Sequence, residues 1–235
     1  MGAKHVDMDF SWFKQQVFRR WRINLEGYKE KQLKRRIDGL MDWAGVSGYG
    51  EYLRLLEKDE VQRSRFFDKI TINVSEFFRN PEVFQVMERE IIPYLLDRQG
   101  MFRVWSAACS NGAEPYSVAI IVDELGARGR CVIEGTDVDR NILKMAEAGR
   151  YDQSAVRNVS PGRLMKYFVK EDDCYILKDW IKKMVSFRHH DLLIDRYPQG
   201  YDLILCRNVT IYFNSDVQTR IYQQLLGSLK PGGVL

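Results

Sequence analysis

The chain has 235 residues, of which 45% are hydrophobic, so it is long enough for one sizeable domain with an appendage or for two small domains. No apolar run approaches the roughly 20 residues of a membrane span, and no hydrophobic signal segment is seen, so we expect a cytoplasmic protein without direct membrane insertion. The four cysteines form no C-x-x-C pair, so we expect neither a disulfide framework nor a metal site. The net charge of +4 comes from residues 1 to 70, which hold 15 Lys and Arg against 11 Asp and Glu, whereas the rest holds 21 of each.

The first 70 residues predict a small all-α domain. Apolar residues recur at helical spacing, as in Leu33 and Ile37, on a helix that ends near Gly45. Further helices are predicted at 49–57 and 61–70, and no strand-like alternation interrupts them.

The positive charge of this domain is concentrated in one segment. Between Lys14 and Arg36, nine basic residues accompany only Glu26 and Glu30. Such a run indicates an acidic partner, although a solvated helix face explains it equally well.

The rest of the chain predicts an α/β fold. After a connector at 71–79, Asn80 and Pro81 predict an N-cap and a first-turn proline of a helix that runs toward Leu96. From Phe102 onward, strand and helix patterns alternate, which predicts a mostly parallel, doubly wound sheet. The predicted strands are 102–107, 131–136 and 201–206, and the predicted helices are 115–125, 140–148 and 215–229.

Two features depart from this alternation. Residues from about 151 to 187 carry a Pro-Gly turn and short apolar runs, and we interpret them as an inserted subdomain within a domain spanning 80–235. The sequence stops at a turn and the opening of another strand, so we expect the natural protein to continue beyond Leu235.

The loop after the first predicted strand indicates the ligand. The segment Phe102–Tyr116 reads as strand, tight polar loop and helix start, which is where open α/β sheets bind ligands. It contains neither a G-x-G-x-x-G fingerprint nor a P-loop lysine, and the Glu114 carboxylate would repel a pyrophosphate. A second strand ends at Asp137-Val-Asp139, where an acidic residue is expected to meet ribose hydroxyls. A nucleoside with positive charge and no phosphate suggests S-adenosylmethionine.

Four segments carry a resemblance to a known family. They are Asn73-Val-Ser-Glu-Phe-Phe-Arg79, Trp105-Ser-Ala-Ala-Cys-Ser-Asn-Gly-Ala-Glu-Pro-Tyr-Ser117, Thr136-Asp-Val-Asp139 and Leu205-Cys-Arg-Asn-Val-Thr-Ile-Tyr-Phe213. Together they resemble the bacterial chemotaxis receptor methyltransferases, the CheR family. The resemblance implies a Rossmann-like class I S-adenosylmethionine-dependent methyltransferase domain with a small inserted subdomain, preceded by an all-α N-terminal domain. It also implies glutamate methyl ester formation on the cytoplasmic helices of methyl-accepting chemotaxis receptors, with S-adenosylhomocysteine as product.

The resemblance also implies roles for individual residues. Tyr212 and Arg79 are the expected catalytic residues, and Asp137 is preferred to Asp139 for the ribose, although the two could be exchanged. The expected cofactor-binding residues are Asn73, Ser75, Arg79, Glu114, Asp137, Asp191, Leu192, Arg207 and Asn208. The residues expected to contact the receptor are Lys31, Lys34, Arg35 and Arg36.

Two rival functions stay open at this point. A nucleic-acid methyltransferase would use the basic segment to follow phosphates, but the chain reads Arg207-Asn-Val-Thr210 where amino-directed enzymes carry Asn/Asp-Pro-Pro-Tyr/Phe. The second rival is a non-catalytic signalling scaffold that retains the methyltransferase fold. We expect a monomer that binds no nucleic acid.

Overall fold

The chain folds as two units, which the computed structural model describes for residues 9–71, 75–98 and 100–235. The helical unit contains the described residues of Met1–Ile72 together with Thr210–Arg220, and the sheet unit contains those of Asn73–Val209 and Ile221–Leu235. The sequence predicted a single domain from residue 80 onward. Instead, Thr210–Arg220 returns to the helical unit, because Tyr28 and Phe213 form an antiparallel bridge and their rings meet edge to face with centroids 5.0 Å apart.

Amphipathic helices build the helical unit. Asp9 caps the first of them by accepting a hydrogen bond from the Trp12 backbone N–H at 2.7 Å, and the second ends at Gly45 in the left-handed conformation with φ 70°. Phe13, Ile37 and other apolar side chains fill a shared core. The helices are α1 Phe10–Trp21, α2 Glu30–Ala44, α3 Tyr49–Lys58 and α4 Glu60–Thr71.

Part of the basic run is neutralised inside this unit. Lys14 is only 7% exposed, and its ammonium lies 2.7 Å from Glu26 and 3.2 Å from Glu30. Arg20 is paired with Glu57. These cations support the fold of the unit, so only a part of the run is available to an acidic partner.

The sheet unit is organised around a five-stranded sheet, and every pairing in it is parallel. The strand order is β6-β2-β1-β7-β8, so the chain crosses from one side of β1 to the other before β7. The carboxyl ends of β1 and β7 therefore flank the topological switch point, where open α/β sheets bind ligands. The strands of the unit are β1 Phe102–Ala107, β2 Cys131–Asp137, β3 Arg150–Asp152, β4 Phe168–Glu171, β5 Cys174–Leu177, β6 Val185–His189, β7 Tyr201–Leu205 and β8 Leu229–Val234.

Helices connect these strands, as the alternating pattern predicts. The predicted helix from Pro81 toward Leu96 is interrupted by a π-helical turn at Met87–Ile91, just before Pro93, whose missing N–H and ring disturb regular helical hydrogen bonding. No helix among the described residues is both long and apolar enough to span a membrane. The helices are α5 Pro81–Val86, α6 Ile92–Asp97, α7 Ala113–Glu124, α8 Arg140–Ala148, α9 Pro161–Tyr167, α10 Asp179–Lys182 and α11 Ser215–Ser228.

The insertion forms a separate antiparallel sheet with the strand order β3-β5-β4. It differs from the predicted range of 151–187 at both ends, because β3 already begins at Arg150 and β6 belongs to the main sheet, where it pairs with β2. Only alternate residues of β6 are shielded, so its short apolar run looks the same in sequence as a strand of the insertion.

Close packing of β2 makes a glycine necessary inside the main sheet. A Cβ atom at Gly135 would lie 2.7 Å from the Phe187 ring and 3.1 Å from the Cys109 sulfur.

We expect Gly135→Ala to destabilise the protein by about 1–3 kcal/mol through overpacking, measured as a lower urea midpoint. The matched control is Gly162→Ala, where no heavy atom lies within 4 Å and the change should stay within about 0.5 kcal/mol. Equal midpoints for the two variants would contradict this packing.

Candidate cofactor site

The loop between β1 and α7 is held in an unusual backbone conformation at the switch point. Ala108, Ser110 and Gly112 all have positive φ, at 62°, 52° and 82°. A Cβ atom at Gly112 would lie 2.9 Å from the Ala146 Cβ and 3.0 Å from the Phe187 ring, so glycine is required by space as well as by conformation. Packing against Ala146 and Phe187 therefore fixes the shape of the loop.

The carboxylate of Asp137 is tied to this loop. It accepts hydrogen bonds from the backbone N–H groups of Ser110 at 2.8 Å and Asp139 at 3.0 Å. Burial raises the pKa of Asp137 to about 6, although the two N–H donors favour the ionised form. Asp139 instead caps α8, as predicted, by accepting from the N–H of Asn141 at 2.8 Å and from that of Ile142 at 3.3 Å. Asp137 thus contacts the loop after β1, whereas Asp139 contacts the first turn of the next helix.

Glu114, in the first turn of α7, is the second carboxylate at the switch point. One oxygen accepts a hydrogen bond from the Ser106 hydroxyl at 2.7 Å, and the other lies 3.4 Å from an Arg207 guanidinium nitrogen. Burial raises the pKa of Glu114, while the Ser106 hydrogen bond, Arg207 and Arg79 all lower it. Its carboxylate thus has partners that favour the charged form although its side chain is only 13% exposed.

Arg207 connects Glu114 to the connector segment. It follows β7, and its other terminal nitrogen donates to the Arg79 carbonyl and to the Asn80 side-chain oxygen, both at 2.8 Å. Asn80 is the N-cap residue of α5 and Pro81 lies in its first turn, as predicted, although Asn80 has φ 60° and its side chain makes no capping bond. Asn208 is exposed and has φ 60°. The cofactor roles predicted for Arg207 and Asn208 stay predictions.

Residues 75–79 of the connector lie against the loop and α7. The Ser75 carbonyl accepts a hydrogen bond from the Asn111 side chain at 3.2 Å, and the Phe78 N–H donates to the Ser117 hydroxyl at 3.0 Å. Arg79 is half-buried and close enough to Glu114 to lower the pKa of that carboxyl. Ser75 and Arg79 therefore belong to the same neighbourhood as Glu114, whereas Asn73 lies outside the described residues.

The predicted adenine residues follow β6 at the same edge of the sheet. The His190 N–H donates to the Asp137 carbonyl at 3.0 Å, which places the segment beside the end of β2. Asp191 is buried, and its carboxylate accepts from the Leu193 N–H at 2.8 Å. Leu192 is also buried, and its carbonyl accepts from the Tyr197 hydroxyl at 2.9 Å.

Ser110 is a candidate ligand that sequence reasoning missed. Among the described residues, Ser110 Oγ and His190 Nε2 are the buried side-chain polar atoms without a hydrogen-bond partner. A buried hydroxyl without a partner is costly unless a ligand satisfies it. Its position beside Asp137, in the loop that leads into the helix carrying Glu114, fits a polar, cationic nucleoside such as S-adenosylmethionine. The sequence Cys109-Ser110-Asn111 contains no motif that would distinguish a ligand-binding serine from a serine in a turn.

Tyr212, the predicted catalytic residue, belongs to the helical unit. Its carbonyl accepts from the Lys29 N–H at 2.9 Å, and the Arg36 guanidinium carbon lies 4.9 Å from its ring centroid. The other three cations predicted to contact the receptor are exposed. They are Lys31, Lys34 and Arg35.

The described ranges contain no group of three or more His, Cys, Asp or Glu side chains that could hold a metal ion. His189 and His190 were predicted not to act as a pair because neighbouring strand residues point in opposite directions. His190 is buried, with its ring edge on to Trp105 at a centroid distance of 5.4 Å, while His189 is partly exposed.

Comparisons with known proteins match two consecutive parts of the chain. Residues 8–71 match the CheR methyltransferase all-alpha domain, and residues 73–235 match the CheR methyltransferase SAM-binding domain. A chemotaxis protein methyltransferase of Listeria innocua is 40% identical over 98% of this chain and 88% of its own length. One from Escherichia coli is 32% identical over 97% of this chain and 82% of its own.

A solved SAM-dependent methyltransferase from Geobacter sulfurreducens, in complex with S-adenosyl-L-homocysteine, is similar at a TM-score of 0.39 and 15% identity, covering 72% of this chain and 53% of that one. That likeness is too low to add to the assignment, which rests on the domain matches and the sequence relatives. The chain belongs to the CheR methyltransferase family and is an S-adenosylmethionine-dependent methyltransferase of chemotaxis.

Proposed function

We propose that the protein is a protein-glutamate O-methyltransferase that forms methyl esters on the cytoplasmic helices of methyl-accepting chemotaxis receptors. The observation that carries the proposal is the Glu114 carboxylate, held by Ser106 and Arg207 at the start of α7. A fixed carboxylate at a helix N-terminus disfavours phosphate ligands and attracts a cation. Relatives named chemotaxis protein methyltransferase support the receptor as substrate.

Each residue around the switch point would bind a different part of the cofactor. Glu114 would bind the methionyl ammonium, and the Arg79 guanidinium would bind the carboxylate as a planar fork. Asp137 would accept the ribose hydroxyls, with the partnerless Ser110 hydroxyl beside it. Arg207 would hold the connector and Glu114 in place. The remaining proposed ligands are Asn73, Ser75, Asp191, Leu192 and Asn208.

The reaction requires alignment more than acid–base chemistry. S-adenosylmethionine supplies a methyl group on a positively charged sulfur. A glutamate side chain, with an ordinary pKa near 4.3, is ionised at neutral pH and needs no general base to act as a nucleophile. The protein therefore needs to orient the acceptor carboxylate and exclude water from it.

Tyr212 is the residue that we propose for orientation of the acceptor. A phenolic hydroxyl donates a hydrogen bond to a carboxylate without removing its charge. Tyr212 follows Arg207 by only five positions in the chain, and its carbonyl is fixed by the Lys29 N–H. Loss of the hydroxyl should lower turnover more than cofactor affinity.

The exposed cations of α2 would guide the receptor. Lys31, Lys34 and Arg35 lie on the solvent side of this helix, and the receptor segments proposed as substrates carry glutamates. Opposite charges steer association and set register more than they add affinity. Methylation on the cytoplasmic side of the receptor implies a cytoplasmic enzyme, and we propose that it acts as a monomer.

The chemical identity of the product tests the proposal directly. We expect chemotaxis receptor membranes to incorporate labelled methyl groups from S-adenosylmethionine, and we expect alkali to release the label as methanol because carboxyl esters hydrolyse in base. The Tyr212→Phe variant, assayed in parallel, should incorporate label at least about tenfold more slowly.

Two results would contradict the proposal. Label that survives alkali would mean methylation at nitrogen or carbon. A protein that binds the cofactor but labels no receptor would be a scaffold and not an enzyme.

The raised pKa of Asp137 predicts a pH dependence of cofactor binding. The ionised carboxylate accepts stronger hydrogen bonds from the ribose hydroxyls than the protonated acid does, so calorimetric affinity for S-adenosylhomocysteine should fall as the pH decreases through about 6. Asp137→Asn should bind more weakly at pH 7.5 and should lack this part of the pH dependence.

The control for this measurement is Asp152→Asn in the insertion. Hydrogen bonds from the Ser154 hydroxyl and the Ala155 N–H lower the pKa of Asp152, so its carboxyl stays ionised through the tested range. Its variant should keep the wild-type profile. If Asp137→Asn also kept that profile, Asp137 would not be the ribose ligand.

A further inference from the structure

Arg36 differs from the other cations of α2 in its environment. Lys31, Lys34 and Arg35 are exposed, whereas Arg36 is partly buried beside the apolar stripe that contains Leu33. Its guanidinium carbon lies 4.9 Å from the centroid of the Tyr212 ring. Guanidinium groups are attracted to aromatic faces at this distance, and their planar shape allows them to stack there.

The backbone next to Tyr212 is fixed by the same part of the helical unit. The Lys29 N–H donates to the Tyr212 carbonyl at 2.9 Å, and the Asn214 N–H donates to the Gly27 carbonyl at 3.0 Å. Lys29 is the N-cap residue of α2, and Arg36 follows it by seven residues, which is about two helical turns on the same face. One element therefore holds both the main chain and the ring of Tyr212.

Two such attachments restrict the orientation of a tyrosine. A fixed backbone leaves the ring free to rotate about its two side-chain torsions, and a cation against the ring reduces this freedom. The phenolic hydroxyl lies at the end of the ring, so small ring rotations would displace it. Misplacement by about 1 Å is enough to lower a rate by about two orders of magnitude.

We infer that Arg36 is a positioning residue that orients the Tyr212 ring for methyl transfer and is not a receptor contact. The inference rests on the proposed role of Tyr212 in that reaction. It assigns two functions to α2. Lys31, Lys34 and Arg35 serve the receptor on the exposed side, while Arg36 serves the tyrosine.

A double-mutant cycle between Arg36 and Tyr212 tests this inference. We expect Arg36→Ala to lower kcat for receptor methylation by about 3- to 30-fold, the range that a cation–π contact supports, with KM for receptor and calorimetric affinity for S-adenosylhomocysteine within about twofold. In the Tyr212→Phe background the same change should cost less than about twofold, because the hydroxyl that needs orientation is gone.

Two further variants separate positioning from charge and from general loss of structure. Arg36→Lys keeps the charge but lacks the planar face, so we expect it to restore kcat only in part. Arg65→Ala removes a comparable contact, in which the guanidinium carbon lies 3.5 Å from the centroid of the Trp43 ring in the same unit, and should leave kcat unchanged.

Fluorotyrosine labelling adds a readout that does not depend on activity. The ¹⁹F resonance that disappears in Tyr212→Phe identifies the residue in the full chain. This resonance should move in Arg36→Ala and stay in place in Arg65→Ala.

The inference is overturned if Arg36→Ala raises KM in a salt-dependent manner at constant kcat, or if its cost is the same in both backgrounds. In either case the proposed methyl ester chemistry would stand. If Tyr212→Phe itself left turnover unchanged, the proposed role of Tyr212 would fail and the inference with it.

Discussion

The loop after β1, β7 and the connector are linked through the Glu114 carboxylate, whose side chain is only 13% exposed. Burial alone would favour its neutral form, and Ser106, Arg207 and Arg79 oppose that tendency. The same Arg207 donates to the carbonyl of Arg79 and to the side chain of Asn80, so the ion pair also fastens the connector beside the sheet. One guanidinium thereby contacts both the Glu114 carboxylate and the connector. Removal of one partner from a buried ion pair leaves the other charge buried without an opposite charge. The resulting loss of folding stability is much larger than that caused by loss of an exposed ion pair.

Much of the fold follows from sequence pattern because the pattern records burial. β1 and β7 are shielded along nearly their whole length and consist mostly of apolar residues, and α2 has a clear apolar stripe. β6 is shielded only at alternate residues, so nothing in its sequence separates an edge strand of the main sheet from a strand of the insertion. The return of Thr210–Arg220 to the helical unit depends on the pairing of Tyr28 with Phe213, a contact between residues that are distant in sequence.

Candidate site residues are visible in the sequence where a motif or a strand end marks them, and not where three-dimensional contacts decide. Glu114 and Asp137 were predicted as ligands from the sequence, and the structure places them in the first turn of α7 and at the end of β2, while their binding roles stay predictions. Ser110 was missed, since an unpartnered hydroxyl becomes visible only when its neighbours are known. The arginines show the same limit. The bonds from Arg207 to the connector could not be predicted from sequence, and Arg36 was grouped with the cations expected to contact the receptor, although its guanidinium lies against the Tyr212 ring.

The measurement that tests the role of Glu114 most directly is a calorimetric comparison of S-adenosylhomocysteine with its analogue lacking the amino group, on the wild-type protein and on Glu114→Gln. If the carboxylate binds the ammonium, removal of the amino group should weaken wild-type binding at least about tenfold, or 1.4 kcal/mol, and should have little effect in the variant. Equal discrimination by both proteins would show that the buried carboxylate does not bind the ammonium and that the cationic ligand is recognised elsewhere.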